Sequence, residues 1–204
     1  MKKVLLLTLL VFTCTAAFAE GGLGLKFGTG ANDAKHKQGA IEKSDVYGGL
    51  EFFIEGKILS EDTRLGLKGE VLFFGENKFK GPYGYLGATT TYTESTVAFP
   101  ITVYYKAVPG AFSWYAGYGF TILNTSLSGG AGYSSQDMSE IKLFLHAAFG
   151  AEYRFGQVFA LGVDMRYNFS AQVKGEVFGG QRVVYSDRSG LGGAVTARFY
   201  FGGE

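Results

Sequence analysis

Residues 159–169 read FALGVDMRYNF, and the stretch alternates at every position. Phe159, Leu161, Val163, Met165, Tyr167 and Phe169 are large and apolar, while Ala160, Gly162, Asp164, Arg166 and Asn168 are small, polar or charged. A period of two marks a β-strand with unlike faces. Two media account for such a strand. A soluble protein turns the apolar face inward, and a membrane protein turns it to lipid.

The same parity repeats along the chain. Leu23, Leu25 and Phe27 alternate with Gly24 and Lys26. Over 46–58, Val46, Leu50, Phe52 and Ile54 oppose Glu51, Phe53, Glu55 and Lys57. Over 64–74, Leu65, Leu67, Val71 and Phe73 oppose Gly66, Lys68, Glu70 and Leu72. Over 95–106, Val97, Phe99, Ile101, Val103 and Tyr105 oppose Ala98, Pro100, Thr102 and Lys106. Similar segments follow at 112–120, 141–153 and 191–201, which makes eight with the one quoted. Every charged residue inside them lies opposite the large apolar face. The connections sort as well. Residues 59–63, 107–110 and 155–158 are tight turns, whereas 31–45, 75–94, 122–140 and 170–190 are long and rich in Gly, Ser, Thr, Tyr and charge. Eight antiparallel strands trimmed at one end and elaborated at the other describe an all-β, up-and-down transmembrane barrel, with short periplasmic turns and four long extracellular loops.

The chain opens MKKVLLLTLLVFTCTAAFAE, with Lys2 and Lys3 before an apolar run and a small-x-small site at Ala17-Phe18-Ala19. Residues 1–19 read as a secretory signal peptide, because the run is too short to span a bilayer, and 20–204 read as one barrel domain. Loss of Lys2 and Lys3 takes the basic count from 19 to 17, against 18 acidic residues, and Cys14 is the sole cysteine. Neither a basic face for nucleic acid nor a disulfide framework remains.

Residue size decides which face is inside. The mixed face carries Gly24, Gly49, Gly66, Gly117, Gly119, Gly150, Gly162 and Gly192 among its charges. Glycine on a solvated strand face loses stability for nothing, but in a narrow lumen it makes room for a neighbouring Arg, Glu or Tyr. The other face has no charge, and Lys or Arg at mid-bilayer would cost about 2–4 kcal/mol there. Its rings gather toward the strand ends, with Phe73, Phe120, Tyr167 and Phe169 at the long-loop end and Tyr105, Phe112, Tyr153, Phe159 and Phe201 at the other. Such girdles mark the two membrane interfaces.

With its signal peptide, its eight alternating segments and the stretches FPITVYYKAV, FSWYAGYGF, LHAAFGAEYRFG and FALGVDMRYNF, the chain resembles the small outer-membrane β-barrel proteins of the OmpA, OmpX and opacity type. The likeness runs over residues 20–204. It implies outer-membrane location, contact with lipopolysaccharide, and handling by the barrel-assembly machinery, which reads a terminal aromatic residue. Val195, Ala197, Phe199 and Phe201 supply the spacing of that signal, although Gly202, Gly203 and Glu204 follow it.

Chemistry concentrates on the lumen charges: Glu51, Glu55, Lys57, Lys68, Glu70, Lys106, Lys142, Glu152, Arg154, Asp164, Arg166 and Arg198. Both signs interleave, as buried charges require. Hairpin geometry predicts Glu55 near Lys68 and Asp164 near Arg198. The set reads as a salt-bridge plug or, alternatively, as an ion path; eight strands enclose too little space for a general porin. His36 and His146 have no evident Ser partner, and Asp33, His36, Glu42 and Asp45 match no metal template, so no catalytic, metal or cofactor site is expected. Pro100, inside a closed-barrel strand, predicts a local bulge with a skipped hydrogen bond.

What remains is the loop crown. The second loop mixes Tyr with Gly, Ser, Thr and Lys, which suits adaptable contact with an extracellular protein or glycan and equally suits a solvated rim. The expectation is a monomer that supports envelope integrity and surface interaction. A narrow low-conductance pore is the alternative, and a lipid-modifying enzyme comes third.

Overall fold

A computed structural model describes residues 19–30, 40–42, 45–58, 60–83, 88–131, 134–177 and 181–202. Residues 1–18, which fall within the expected signal peptide, lie outside them, as do Asp33, His36 and the last two residues. The described chain forms twelve strands: β1 (Ala19–Thr29), β2 (Ala40–Glu42), β3 (Val46–Ile58), β4 (Ser60–Phe74), β5 (Asn77–Tyr83), β6 (Ala88–Ala107), β7 (Phe112–Ala131), β8 (Ser134–Phe155), β9 (Phe159–Asn168), β10 (Gln172–Val177), β11 (Gln181–Asp187) and β12 (Gly190–Phe201). Eight of them close a ring in the order β1-β3-β4-β6-β7-β8-β9-β12, every pair antiparallel. The seam joins β1 to β12 with Leu23 opposite Phe199 and Phe27 opposite Val195.

Parity assigns the faces along each wall strand. On β3, Leu50, Phe52 and Ile54 are exposed, whereas Glu51, Phe53 and Glu55 between them are buried. On β9, Leu161, Val163, Met165 and Tyr167 are exposed and Asp164 is buried. An exterior of Leu, Val, Ile and Phe around an interior of Glu, Lys and Arg inverts a soluble protein. The ten residues of β9, at about 3.3 Å each and tilted about 40°, rise about 25 Å, the height of a transmembrane apolar band. At the short-turn end Tyr153, Phe155, Phe159 and Phe199 form a run of ring contacts with centroids 4.9 to 6.0 Å apart. Tyr105 and Trp114 continue that girdle on β6 and β7, and Tyr167 meets Phe169 at 5.0 Å toward the other end.

The long connections are more ordered than the sequence suggests. β7 and β8 pair without interruption out to Ala131 opposite Ser134, so residues 122–140 are mostly strand. β5 pairs with β6 beyond the end of β4, and β10 with β11 within the fourth connection. The reason is visible on β7. Beyond Ile122 the alternation continues with its sign reversed: Leu123 and Leu127 point inward and are buried, while Asn124, Ser126 and Ser128 point outward and are exposed. A strand that leaves lipid for water keeps its pleat and exchanges its polarity.

Pro100 produces no bulge. The register between β4 and β6 is the same on both sides of it, from Gly69 opposite Ile101 to Leu72 opposite Ala98, and the two pairs between them are unformed. Pairing of β6 with β7 continues through Pro100 opposite Thr121. The missing donor interrupts one ladder locally, and closure on both sides holds the register.

Candidate functional site

Inward-pointing charges from seven wall strands meet in the lumen. At the centre Arg198 reaches three acids: Nη2 lies 3.0 Å from Asp164 Oδ1, Nη1 lies 2.7 Å from Glu152 Oε2, and Nε donates to Glu51. Lys68 Nζ stands 3.2 Å from both Asp164 and Glu70 and donates to Tyr115 Oη at 2.7 Å. Lys26 sits among the same acids, 3.0 Å from Glu70 and 3.4 Å from Glu51, and Arg166 closes on the other Glu70 oxygen. Toward the short-turn end Lys106 joins Glu55 at 2.9 Å and Glu152 at 2.6 Å, while the Tyr104 hydroxyl donates to Glu55 at 2.8 Å. The rim there is held by Arg154, which forks onto Glu20 at 2.8 and 3.1 Å.

Glycine makes this crowding feasible. A Cβ on Gly66 would stand 2.2 Å from the Tyr104 ring, and one on Gly150 would stand 2.4 Å from that of Tyr115. Both rings need the space opposite a bare backbone.

Two expected members do not join. Lys57 is exposed: it keeps its register opposite Arg64, but it stands at the short-turn rim, just before the β3–β4 pairing slips, and its side chain reaches solvent. Lys142 stands above the apolar band, half-buried, and donates to the Gln172 carbonyl of the fourth connection. Glu55 pairs with Lys106 rather than with Lys68: it faces Gly66 across the hairpin, Lys106 of β6 meets it inside, and Lys68 turns to Glu70 and Asp164. Asp164 and Arg198 do meet. Lys26, Glu20 and Arg64 belong to the cluster and were not among the expected residues. Lys26 carried the signal, alternating with Leu25 and Phe27.

The carboxylates of Glu51, Glu70 and Asp164 each bring an oxygen within 4.8 Å of the others, an arrangement a metal ion could bridge. Lys26, Lys68 and Arg198 already occupy their lone pairs, so the donor set is neutralised by the chain itself. Two cavities of about 10 Å³ each flank Lys68 and Tyr115, one bounded by Lys26, Tyr47 and Arg166 and the other by Phe53, Tyr104 and Arg198. Each is about the size of one water.

Residues 4–198 match the outer membrane protein beta-barrel domain family. The chain belongs to that family. No curated protein matches the sequence. Among solved structures, this outer-membrane barrel is similar to Ail, the attachment invasion locus protein of Yersinia pestis, at 11% identity, with 90% of this chain and 98% of that one covered and a TM-score of 0.54. The same protein in complex with the heparin analogue sucrose octasulfate gives 10% identity, the same coverage and a TM-score of 0.52. A major outer membrane protein from Thermus thermophilus gives 14% identity, 89% and 99% coverage and a TM-score of 0.51. At these identities the likeness is one of fold. The barrel resides in the bacterial outer membrane, and its exposed apolar band faces lipid.

Above the ionic cluster the lumen of this outer-membrane barrel changes character. His146 lies between two threonines, with Nε2 2.9 Å from Thr102 Oγ1 and Nδ1 2.9 Å from Thr121 Oγ1. Higher still, Tyr47, Leu72, Tyr92, Leu123, Leu127 and Phe144 form an apolar cluster in the long-connection mouth. Ala171 and Val173 of the fourth connection are part of it. Sequence parity could not have placed them, because they lie outside the eight segments.

Proposed function

We propose that this barrel serves envelope integrity and surface interaction, with a lumen closed by its own ion pairs and with contacts made at the long-connection end. The observation that carries the reading is the change of polarity on β6, β7 and β8. Beyond the lipid band these strands continue as a sheet with Ser95, Asn124, Ser126, Ser128 and Ser139 on its outer face. A hydroxyl-rich strand surface held clear of the membrane suits adaptable hydrogen bonding to a protein or glycan.

Closure is supported by the two water-sized cavities and by the carboxylates being matched with cations of the same lumen. Eight strands leave room for side chains and little else. A non-enzymatic role is supported by His146, whose two ring nitrogens are both engaged by threonine hydroxyls inside the barrel. Ail has been crystallised with a heparin analogue, which makes sulfated glycans the first ligands to try. The wider reading is of a monomer, surrounded by lipopolysaccharide and inserted by the barrel-assembly machinery.

Two measurements test the proposal. Purified, refolded protein in planar bilayers is expected to be silent in single-channel recording; steady conductance altered by Asp164→Ala or Arg166→Ala would establish the narrow-pore alternative. Binding to a glycan and matrix-protein array is expected to be lost when residues 128–137 are replaced by a Gly-Ser turn, and unchanged binding would sink the surface reading.

A further inference from the structure

The fourth connection leaves the wall after β9 and returns at β12, and its base turns part of its side chains into the mouth. Ala171 and Val173 have no exposed surface, and Arg188 is 1% exposed. The two sides of the base are tied to each other, with Arg188 N donating to Ala171 O at 3.1 Å and Ala171 N donating to Ser189 Oγ at 2.8 Å. Together they sit as one piece against Leu72, Leu123, Leu127 and Phe144 in the mouth.

Both ends of this piece pass through left-handed backbone. Ser170 has φ 53°, the one positive value outside glycine among the described residues, and Gly190 has φ 110°. A serine held there is strained, and strain of this kind persists where the surrounding structure imposes it. The piece thus meets the barrel at two adjacent points where the chain direction turns sharply.

The attachment across the mouth is thin for so buried a charge. Arg188 Nη2 reaches Glu94 Oε1 at 3.4 Å and the guanidinium lies 4.4 Å from the centre of the Phe74 ring, but Nε and Nη1 have no hydrogen-bond partner. Asp45, whose charge acts on Arg188, has a buried Oδ1 that is also unpartnered. Glu94 does not depend on Arg188, because Asn77 and Thr96 both donate to it. An arginine buried on one long hydrogen bond is penalised while the mouth is closed and is hydrated once it opens. Apolar packing and the bond from Lys142 to the Gln172 carbonyl therefore seat the piece, and Arg188 works against that seating.

We propose that the base of the fourth connection, residues 171–173 and 187–189, is a hinged stopper on the barrel mouth, turning about Ser170 and Gly190, with Arg188 keeping it loosely seated. Opening uncovers the apolar cup lined by Leu72, Leu123, Leu127 and Phe144 above His146. This holds whatever the outer surface binds.

Spin labels at Gln172→Cys and Ser126→Cys, in a chain carrying Cys14→Ser and reconstituted in lipid nanodiscs, read the distance across the mouth by pulsed electron resonance. Two populations are expected, a short closed one and a longer open one. Arg188→Met, which keeps the packing and removes the unpaired donors, is expected to lower the open fraction at least threefold. Ser170→Gly, which removes the strain without touching the buried contacts, is expected to lower it as well. Glu94→Gln, which weakens the hydrogen bond of the Arg188 guanidinium, is expected to raise it. Heat-modifiable migration checks that each variant is folded. A single population in every variant overturns the stopper. An open fraction that rises with Arg188→Met overturns the role given to Arg188.

Discussion

Arg198 on β12 and Asp164 on β9 meet inside the barrel although they do not face each other across the strand pair. Asp164 stands opposite Ala194 and Arg198 opposite Ala160, yet Nη2 lies 3.0 and 3.1 Å from the two carboxylate oxygens. The guanidinium travels along the barrel axis to reach its partner, passing small residues on the way. The same side chain binds Glu51 of β3 and Glu152 of β8, so one residue links four strands around the ring.

Removing that hub leaves three carboxylates short of a partner. Arg198→Ala is expected to destabilise the barrel by about 3–5 kcal/mol, the range for breaking a buried pair from one side. Arg198→Lys is expected to recover less than half, because an ammonium cannot reproduce a three-way fork. Urea midpoints for folding into lipid vesicles measure both; an Ala variant within roughly 1 kcal/mol of the parent, the worth of an exposed pair, would show the network to be idle.

Val163 lies midway along β9 on the lipid side, exposed, opposite Ala151 and Val195. Val163→Arg is expected to cost about 2–4 kcal/mol. The same change at Ser126, beyond the band, is expected to be close to neutral. Equal losses at the two sites, read by the same urea titration, would contradict the assigned band.

Gly66→Val drives a side chain into the Tyr104 ring and, through the tyrosine hydroxyl, into Glu55. Overpacking of this kind costs about 1–3 kcal/mol. The double variant Gly66→Val with Tyr104→Ala is expected to be more stable than the sum of the singles, a positive coupling in a double-mutant cycle. Strict additivity would mean that the two positions do not share space.

Pro100→Thr restores a backbone donor beside β4, where the ladder skips two pairs. A gain of about 0.5–1.5 kcal/mol is expected, the net worth of one hydrogen bond. Amide exchange at the new position reports on it directly, and a rapidly exchanging amide would show the gap to be set by something other than proline.

The wall was legible because two constraints act on every strand at once. Lipid forbids charge on one face, and a narrow lumen demands either charge matching or glycine on the other, so Leu161, Asp164 and Gly162 each declare a side. What escaped followed from where those constraints end. Leu123, Asn124, Thr125, Ser126 and Leu127 still alternate, but with polarity exchanged, and a parity rule tuned to lipid reads them as loop. Lys57 was misplaced because parity assigns a face and not a height, and a long side chain at the rim reaches solvent from the inner face as well. The partners of Glu55 were misjudged because register fixes backbones, whereas a lysine side chain spans two further positions. Arg188 and Glu94 meet across 94 residues of sequence, and no local pattern links them.

The seam between β1 and β12 places Leu23 against Phe199, the first wall strand against the last. Until β12 pairs with it, β1 presents a bare edge in any partly assembled sheet. Such an edge invites pairing with another chain. Closure is thus the slowest contact to make and the most exposed to error, since it spans the greatest sequence separation in the wall. The period of risk for this protein lies in its assembly, before any stability in the finished barrel can act.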